Sequence, residues 1–312
     1  MTGLAADPLC MKHDTGFGHP ECKERYEAVM AGLEEAGLTE KLVRIPARDA
    51  TRAELRRVHS SEYLDVTEHH IKEGAGELST GDTVVCEESW DAAVRAAGLA
   101  LGATEAVMKG WVKNAFCAVR PPGHHATGDR GMGFCIFNNV ALAARHAQKV
   151  FGIERVLIVD WDVHHGNGTQ EIFYGDGTVL FFSTHQWPLY PGTGRRSETG
   201  IGAGAGLTIN VPLAAGAGRA LVVGAMKEEL ELAAERFVPE LVMISAGFDS
   251  RAGDPLGGFL LKDDDFAEMT RLVMGIADKY ADGRVVSLLE GGYGLDLLGG
   301  AVAAHVGALG NH

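Results

Sequence analysis

Six short apolar runs constrain the fold of this chain more than any other feature. They span residues 114–119, 155–159, 179–182, 207–211, 241–244 and 284–289, and are rich in Val, Ile, Leu and Phe without alternation. Strands buried on both faces of a parallel sheet have this pattern, because neither face meets water. Segments of helical pattern lie among them, at 88–109, 139–150, 218–236, 263–280 and 295–309. Strand and helix in alternation predict the α/β class, with a mostly parallel central sheet flanked by helices on both faces. Residues 20–36 and 62–71 add two helices to the first 80 residues. No linker or repeat divides the chain, so residues 1–312 read as a single domain.

Five of the runs end in polar clusters. Val119 leads into Arg120-Pro121-Pro122-Gly123-His124-His125, and Val159 into Asp160-Trp161-Asp162-Val163-His164-His165. Phe182 leads into Ser183-Thr184-His185, Ile244 into Ser245-Ala246-Gly247-Phe248-Asp249, and Leu289 into Glu290-Gly291-Gly292-Tyr293. Open α/β sheets bind ligands outside the carboxyl ends of their strands. Five segments far apart in sequence should therefore converge on one crevice.

These clusters hold the residue types of a metal-dependent hydrolase. In extended chain, residues two apart face the same way, so Asp162 and His164 can share an ion with Asp160 behind them. Asp249, from another strand end, would be the third ligand. Two carboxylates and one imidazole, with water completing the shell, suit catalytic zinc or iron(II). The competing reading is a buried polar network that caps strand ends. His124 and His125 offer a base for an activated water and a second imidazole to stabilise charge. Asp160 and Asn167 are the candidate acceptors to orient them. Tyr293, flanked by glycines, can donate a hydrogen bond to a developing oxyanion. Phe134 and Tyr190 sit in glycine-rich loops, where they either wall a slot or pack as ordinary loop residues. His59, His146 and His185 read as structural, and Arg195-Arg196 as a solvated loop.

Other classes fare worse. The net charge is −14, from 28 basic and 42 acidic residues, which argues against a general nucleic-acid-binding surface. The five cysteines (Cys10, Cys22, Cys86, Cys117 and Cys135) include no CxxC pair. A disulfide framework is therefore not expected, and a reducing compartment, the cytoplasm, is the default. No run approaches the roughly 18 apolar residues of a membrane span, and the N-terminus lacks a signal-peptide pattern. There is no G-x-S-x-G elbow and no GxxxxGK[ST] loop. The glycine-rich stretch 200–206 precedes a strand instead of opening a helix, so it is a weak nucleotide signal.

The segments RPPGHHA, GFCIFNNV, DWDVHHGNGT, SAGFDSRAGDPLGG and EGGY occur in one order along the chain. Together they resemble the zinc-dependent histone deacetylase family, including bacterial histone-deacetylase-like amidohydrolases and acetylpolyamine amidohydrolases. HDTGFGHPECKER is similar to that family's N-terminal loop, with Lys23 where proline is usual. The resemblance covers about residues 13–309. It implies the arginase/deacetylase fold, zinc ligands at Asp162, His164 and Asp249, catalytic histidines at His124 and His125, and an oxyanion tyrosine at Tyr293. It also implies a potassium ion beside the zinc, with Asp160, Asp162, His164, Ser183 and Thr184 as ligands. A second cation would lie near Phe173, Asp176 and Val179. Phe134 and Tyr190 match the walls of an acyl-lysine tunnel, along which Gly133, Leu256 and Gly292 would also lie. Asn167 stands where class I enzymes have aspartate, and resembles the class II branch. An amide cannot stabilise an imidazolium as a carboxylate does, so His125 should be the less basic histidine.

The activity so implied is zinc-dependent removal of acyl groups from the side-chain amine of acyl-lysine in a peptide or protein. An acetylated polyamine is the near alternative. Class II polyamine enzymes can place a glutamate gatekeeper where Leu256 stands, and leucine there favours acyl-lysine. A broader small-molecule amide or ester hydrolase and a non-catalytic acyl-lysine binder are further alternatives. Arginase chemistry would need a second metal, which Ser250 and Arg251 after Asp249 disfavour. The oligomeric state stays open, from monomer to tetramer.

Overall fold

The computed structural model of the chain describes residues 1–79 and 82–311. Thr80, Gly81 and His312, counted within the single expected domain, lie outside these. The strands are β1 (Thr2–Ala6), β2 (Val43–Arg44), β3 (Asn114–Ala118), β4 (Val156–Asp160), β5 (Val179–Gln186), β6 (Thr208–Leu213), β7 (Leu241–Ala246) and β8 (Val285–Leu289). They form one sheet in the order β2-β1-β3-β8-β7-β4-β5-β6, and every neighbouring pair is parallel. The six apolar runs are β3 to β8. Every residue of β3, β4, β7 and β8 is buried, and side chains alternate between faces, so both faces are covered. That double burial is why the runs show no alternation. Removing a core side chain such as Ile158, fully buried at mid-sheet, should cost ~2–5 kcal/mol.

The sequence reading missed β1 and β2. β1 is Thr-Gly-Leu-Ala-Ala, whose small residues carry little strand signal, and β2 has two residues. Their pairing is set by neighbours: Gly3 pairs with Ala115 on one side and Val43 on the other. The sheet thus begins at Thr2, ahead of the 13–309 span of the resemblance.

Helices flank the sheet in two groups. Ser89–Met108 packs on β1, β3, β8 and the helix Asn139–Phe151. Leu295–Gly310 packs on Glu24–Glu35, on Asp263–Tyr280 and on β3. Asn138 caps Asn139–Phe151 by accepting from the Ala141 N–H, and Gly152 ends it in the left-handed region. The expected helix 218–236 is present, but Met226–Leu230 inside it is a π turn, which a 3.6-residue period does not reveal. Among the described residues no helix is long and apolar enough to cross a membrane.

The strand order brings the polar clusters together. The five strands carrying polar clusters, β3-β8-β7-β4-β5, are consecutive in the sheet. The register aligns their ends: Asp160 lies opposite both Ser183 and Ser245.

Candidate metal centre and active site

At that edge the ligand atoms of Asp162, His164 and Asp249 lie within 4.8 Å of one another, all three residues buried. Backbone donors aim the carboxylates. Asp249 Oδ1 accepts from the Val163 N–H at 2.8 Å, and Asp162 Oδ2 from the Gly291 N–H at 2.8 Å. Gly291 must lack a side chain, since a Cβ there would lie 2.1 Å from Asp249 Oδ2. His164 Nδ1 stands 3.0 Å from Asp162 Oδ1 and 3.1 Å from Asp249 Oδ2. Burial opposes a charge on His164, but the two carboxylates outweigh it and push its pKa up to about 10. Burial, reinforced by the Asp162 charge, pushes Asp249 up to about 7. The cluster therefore draws positive charge to its centre, where a divalent cation would displace a proton. Two carboxylates and an imidazole with one side open to a cavity fit a catalytic zinc or iron(II) ion.

The tandem histidines stand beside this triad, ring centroids 4.0 Å apart. His124 Nδ1 donates to Asp160 Oδ2 at 2.9 Å, and His125 Nδ1 to Asn167 Oδ1 at 2.7 Å. Burial works against charge on both. At His124 the Asp160 and Asp162 carboxylates reverse it and hold the pKa well above 6.5. At His125 burial prevails, helped by His124, and the pKa falls well below 6.5. His125 is thus neutral, with Nε2 free of a proton. The partners favour the expected order of basicity, His124 above His125.

A cavity of about 340 Å³ leads to the triad, lined by Asp82, His125, Gly133, Phe134, His164, Leu189, Tyr190, Leu256 and Tyr293. Phe134 adopts φ 66° after Gly133 at φ 56°, an uncommon pair of left-handed residues that turns the Phe134 ring toward Tyr293, 5.9 Å away and edge-on. Burial keeps the Tyr293 phenol well above its usual pKa, so it remains a donor.

The histone deacetylase domain model matches residues 19–309. The chain belongs to the histone deacetylase family. A probable deacetylase of Archaeoglobus fulgidus is 41% identical over 298 residues, which cover 95% of this chain and 82% of the relative. The polyamine deacetylase HDAC10 of Mus musculus is 42% identical, covering 93% of this chain but 44% of its own length. The crystal structure of the HDA15 HD domain superposes with a TM-score of 0.93 at 38% identity, over 99% of this chain and 89% of that one. The fold is accordingly the arginase/deacetylase fold, and this deacetylase is an amide-hydrolysing enzyme.

Most expected site residues of the deacetylase meet in one place. Thr184 Oγ1 is buried without a hydrogen-bond partner, an orphan oxygen that a monovalent cation beside Asp160 would satisfy, while Ser183 Oγ bonds His185 Nδ1 at 2.9 Å. Gly292 departs from expectation: it is not among the cavity-lining residues, and its carbonyl accepts from Arg25 Nε at 2.6 Å. His59, His146 and His185 are buried and are not part of the triad, and Arg195 and Arg196 are exposed, as expected. All five cysteines are free.

Sequence reasoning missed three groups. Asp82 holds the tunnel walls: it accepts from the Tyr190 hydroxyl at 2.6 Å and the Gly133 N–H at 2.9 Å. Arg25 and Arg120, both buried, share the Glu21 carboxylate, with Arg25 stacked 5.0 Å from the Tyr293 ring centre. Glu290, also buried, accepts from the N–H groups of Gly123 and His124. Asp82, Glu21 and Arg25 lie outside the strand-end clusters, and Glu290 lies inside one, but no local pattern marked its partners.

Proposed function

We propose that this enzyme removes acetyl or similar acyl groups from the side-chain amine of acyl-lysine, in the cytoplasm, with Asp162, His164 and Asp249 holding one zinc ion. The observation that carries this reading is the aromatic-walled cavity ending at a buried two-carboxylate, one-imidazole cluster beside a histidine pair of which one ring is held by a carboxylate and the other by an amide. Phe134 and Tyr190 would grip the methylene stem of the lysine, which presents no charge until its amine is freed. A zinc ion in the triad would supply Lewis acidity toward the amide carbonyl and toward the attacking water. His125 Nε2, unprotonated, takes the proton of that water. His124, protonated and paired with Asp160, offsets charge as it develops. The Tyr293 hydroxyl donates to the oxygen of the former carbonyl. His125 then returns its proton to the leaving amine. A potassium ion held by Asp160, Asp162, His164, Ser183 and Thr184 would neutralise the carboxylates from behind; the orphan Thr184 oxygen supports it.

Acetylated polyamine is the second reading, favoured by the polyamine deacetylase among the relatives and by Asp82 at the cavity wall. Leu256 in that wall weighs the other way, since it offers an ammonium group nothing. The test is kcat/KM on an acetyl-lysine peptide and on acetylated polyamines with one zinc-loaded preparation. Preference for the peptide is expected; preference for polyamine would overturn the substrate while leaving the chemistry of the site in place.

A further inference from the structure

We propose that Glu290 is the positioning residue that fixes the tandem-histidine loop against the Tyr293 loop. The need for it begins in the sequence Arg120-Pro121-Pro122-Gly123-His124. Two prolines supply no N–H, so no backbone donor anchors the loop between Arg120 and Gly123. The next two donors are the N–H groups of Gly123 and His124, and Glu290 Oε2 accepts both, at 2.7 and 3.0 Å. Glu290 Oε1 takes the Ser245 hydroxyl at 3.0 Å. A fully buried carboxylate is costly unless its lone pairs are used, and here they are used on the catalytic loop and on the strand next to it.

Each remaining handle of His124 is held elsewhere. Its carbonyl accepts from the Gly168 and Thr169 N–H groups at 3.0 and 3.1 Å, and its ring is held by Asp160. Among the described residues, Glu290 supplies the one side-chain acceptor for its N–H. Glu290 is itself fixed, because its N–H donates to the Ala246 carbonyl at 3.0 Å. It lies three residues before Tyr293, so one short segment sets both the imidazoles and the phenol. Reacting groups misplaced by about 1 Å lose rate without losing substrate affinity.

The assignment rests on the acyl-lysine reading above, and it is tested on the zinc-loaded enzyme with an acetyl-lysine peptide. Turnover by the parent enzyme, measured first, separates failure of this assignment from failure of that reading. For Glu290→Ala, kcat should fall about 10- to 100-fold while KM and zinc content stay near those of the parent. Glu290→Gln should recover to within about threefold, because its amide oxygen still accepts both N–H groups. Glu290→Asp keeps the charge but withdraws it by one methylene, and should remain impaired. Parent-like kcat in Glu290→Ala, or Glu290→Gln as slow as Glu290→Ala, overturns the proposal. Should Glu290→Ala not fold, the other two decide: Gln faster than Asp supports it, and Asp equal to or faster than Gln overturns it.

Discussion

Two pairs of buried histidines share one end of the sheet and differ in what surrounds them. His124 and His125 lie 4.0 Å apart by ring centroid, and His165 and His185 lie 4.7 Å apart. The second pair hydrogen-bonds only to neutral groups among the described residues. His165 bonds the Thr193 hydroxyl at 2.8 Å and the Gln170 amide oxygen at 2.9 Å. His185 bonds the Ser183 hydroxyl and the Gly194 carbonyl, at 2.9 and 2.8 Å. Burial then rules, pushing His165 down to about 3 and His185 to about 4. In the first pair the carboxylates of Asp160, hydrogen-bonded to the ring, and Asp162 lift His124, while burial and the neighbouring His124 keep His125 low. Burial is the common condition; the partner decides the charge. One pair can hand on a proton, while the other is a neutral strut beneath the Tyr190 loop.

The largest effect should come from making the first pair like the second. Asp160→Asn removes the hydrogen-bonded carboxylate that contributes most to the charge on His124, and so moves that ring toward the neutral state of its neighbour. The loss in kcat should be on the order of 10²–10⁴-fold, the range of a general acid–base contribution. Steady-state kinetics on an acetyl-lysine peptide measures it, and a loss under tenfold would mean that the charge on His124 does not matter to turnover.

Asn167→Asp sharpens the contrast from the other side, by giving His125 the partner that His124 has. A carboxylate in place of the amide raises the His125 pKa, so the neutral base is lost at higher pH. The acidic limb of kcat/KM should move up by about one pH unit or more. An unmoved limb would remove His125 from the role of base.

How much of this was legible without coordinates depended on how local each feature was. Asp162-x-His164 and His124-His125 are neighbours in sequence, and their strand ends could be read from unbroken apolar runs. The convergence of five ends followed from a general property of parallel sheets. The partners that fix those residues were not legible. Glu290 meets His124 across 166 positions and Asp82 meets Tyr190 across 108, so no spacing announces them. β1 stayed hidden because alanine and glycine carry no strand signal, although β3 on one side and β2 on the other hold it in place. Gly292, placed along the tunnel by the resemblance, turns its carbonyl to Arg25, 267 positions away, a partner that no spacing announces.

The smallest expected effect tests the neutral strut through stability. His185 has its pKa lowered to about 4 in the folded protein, against 6.5 in the unfolded chain, chiefly by burial. A histidine so depressed favours the folded state fully above 6.5. That contribution is lost as pH falls through 6.5 toward 4, because the unfolded chain takes up the proton first. His59, also lowered to about 4, and His305, lowered to about 3, act in the same direction. Each should contribute a slope of up to ~1.4 kcal/mol per pH unit across that window. Urea unfolding of the parent and of His185→Gln, compared at pH 6.5 and pH 4.5, isolates one share. The glutamine cannot titrate, so the variant should lose less stability over the same interval even if it starts from a lower value. An equal loss in both proteins would mean that His185 is already protonated within the fold. The two pairs would then not differ in the way their partners imply.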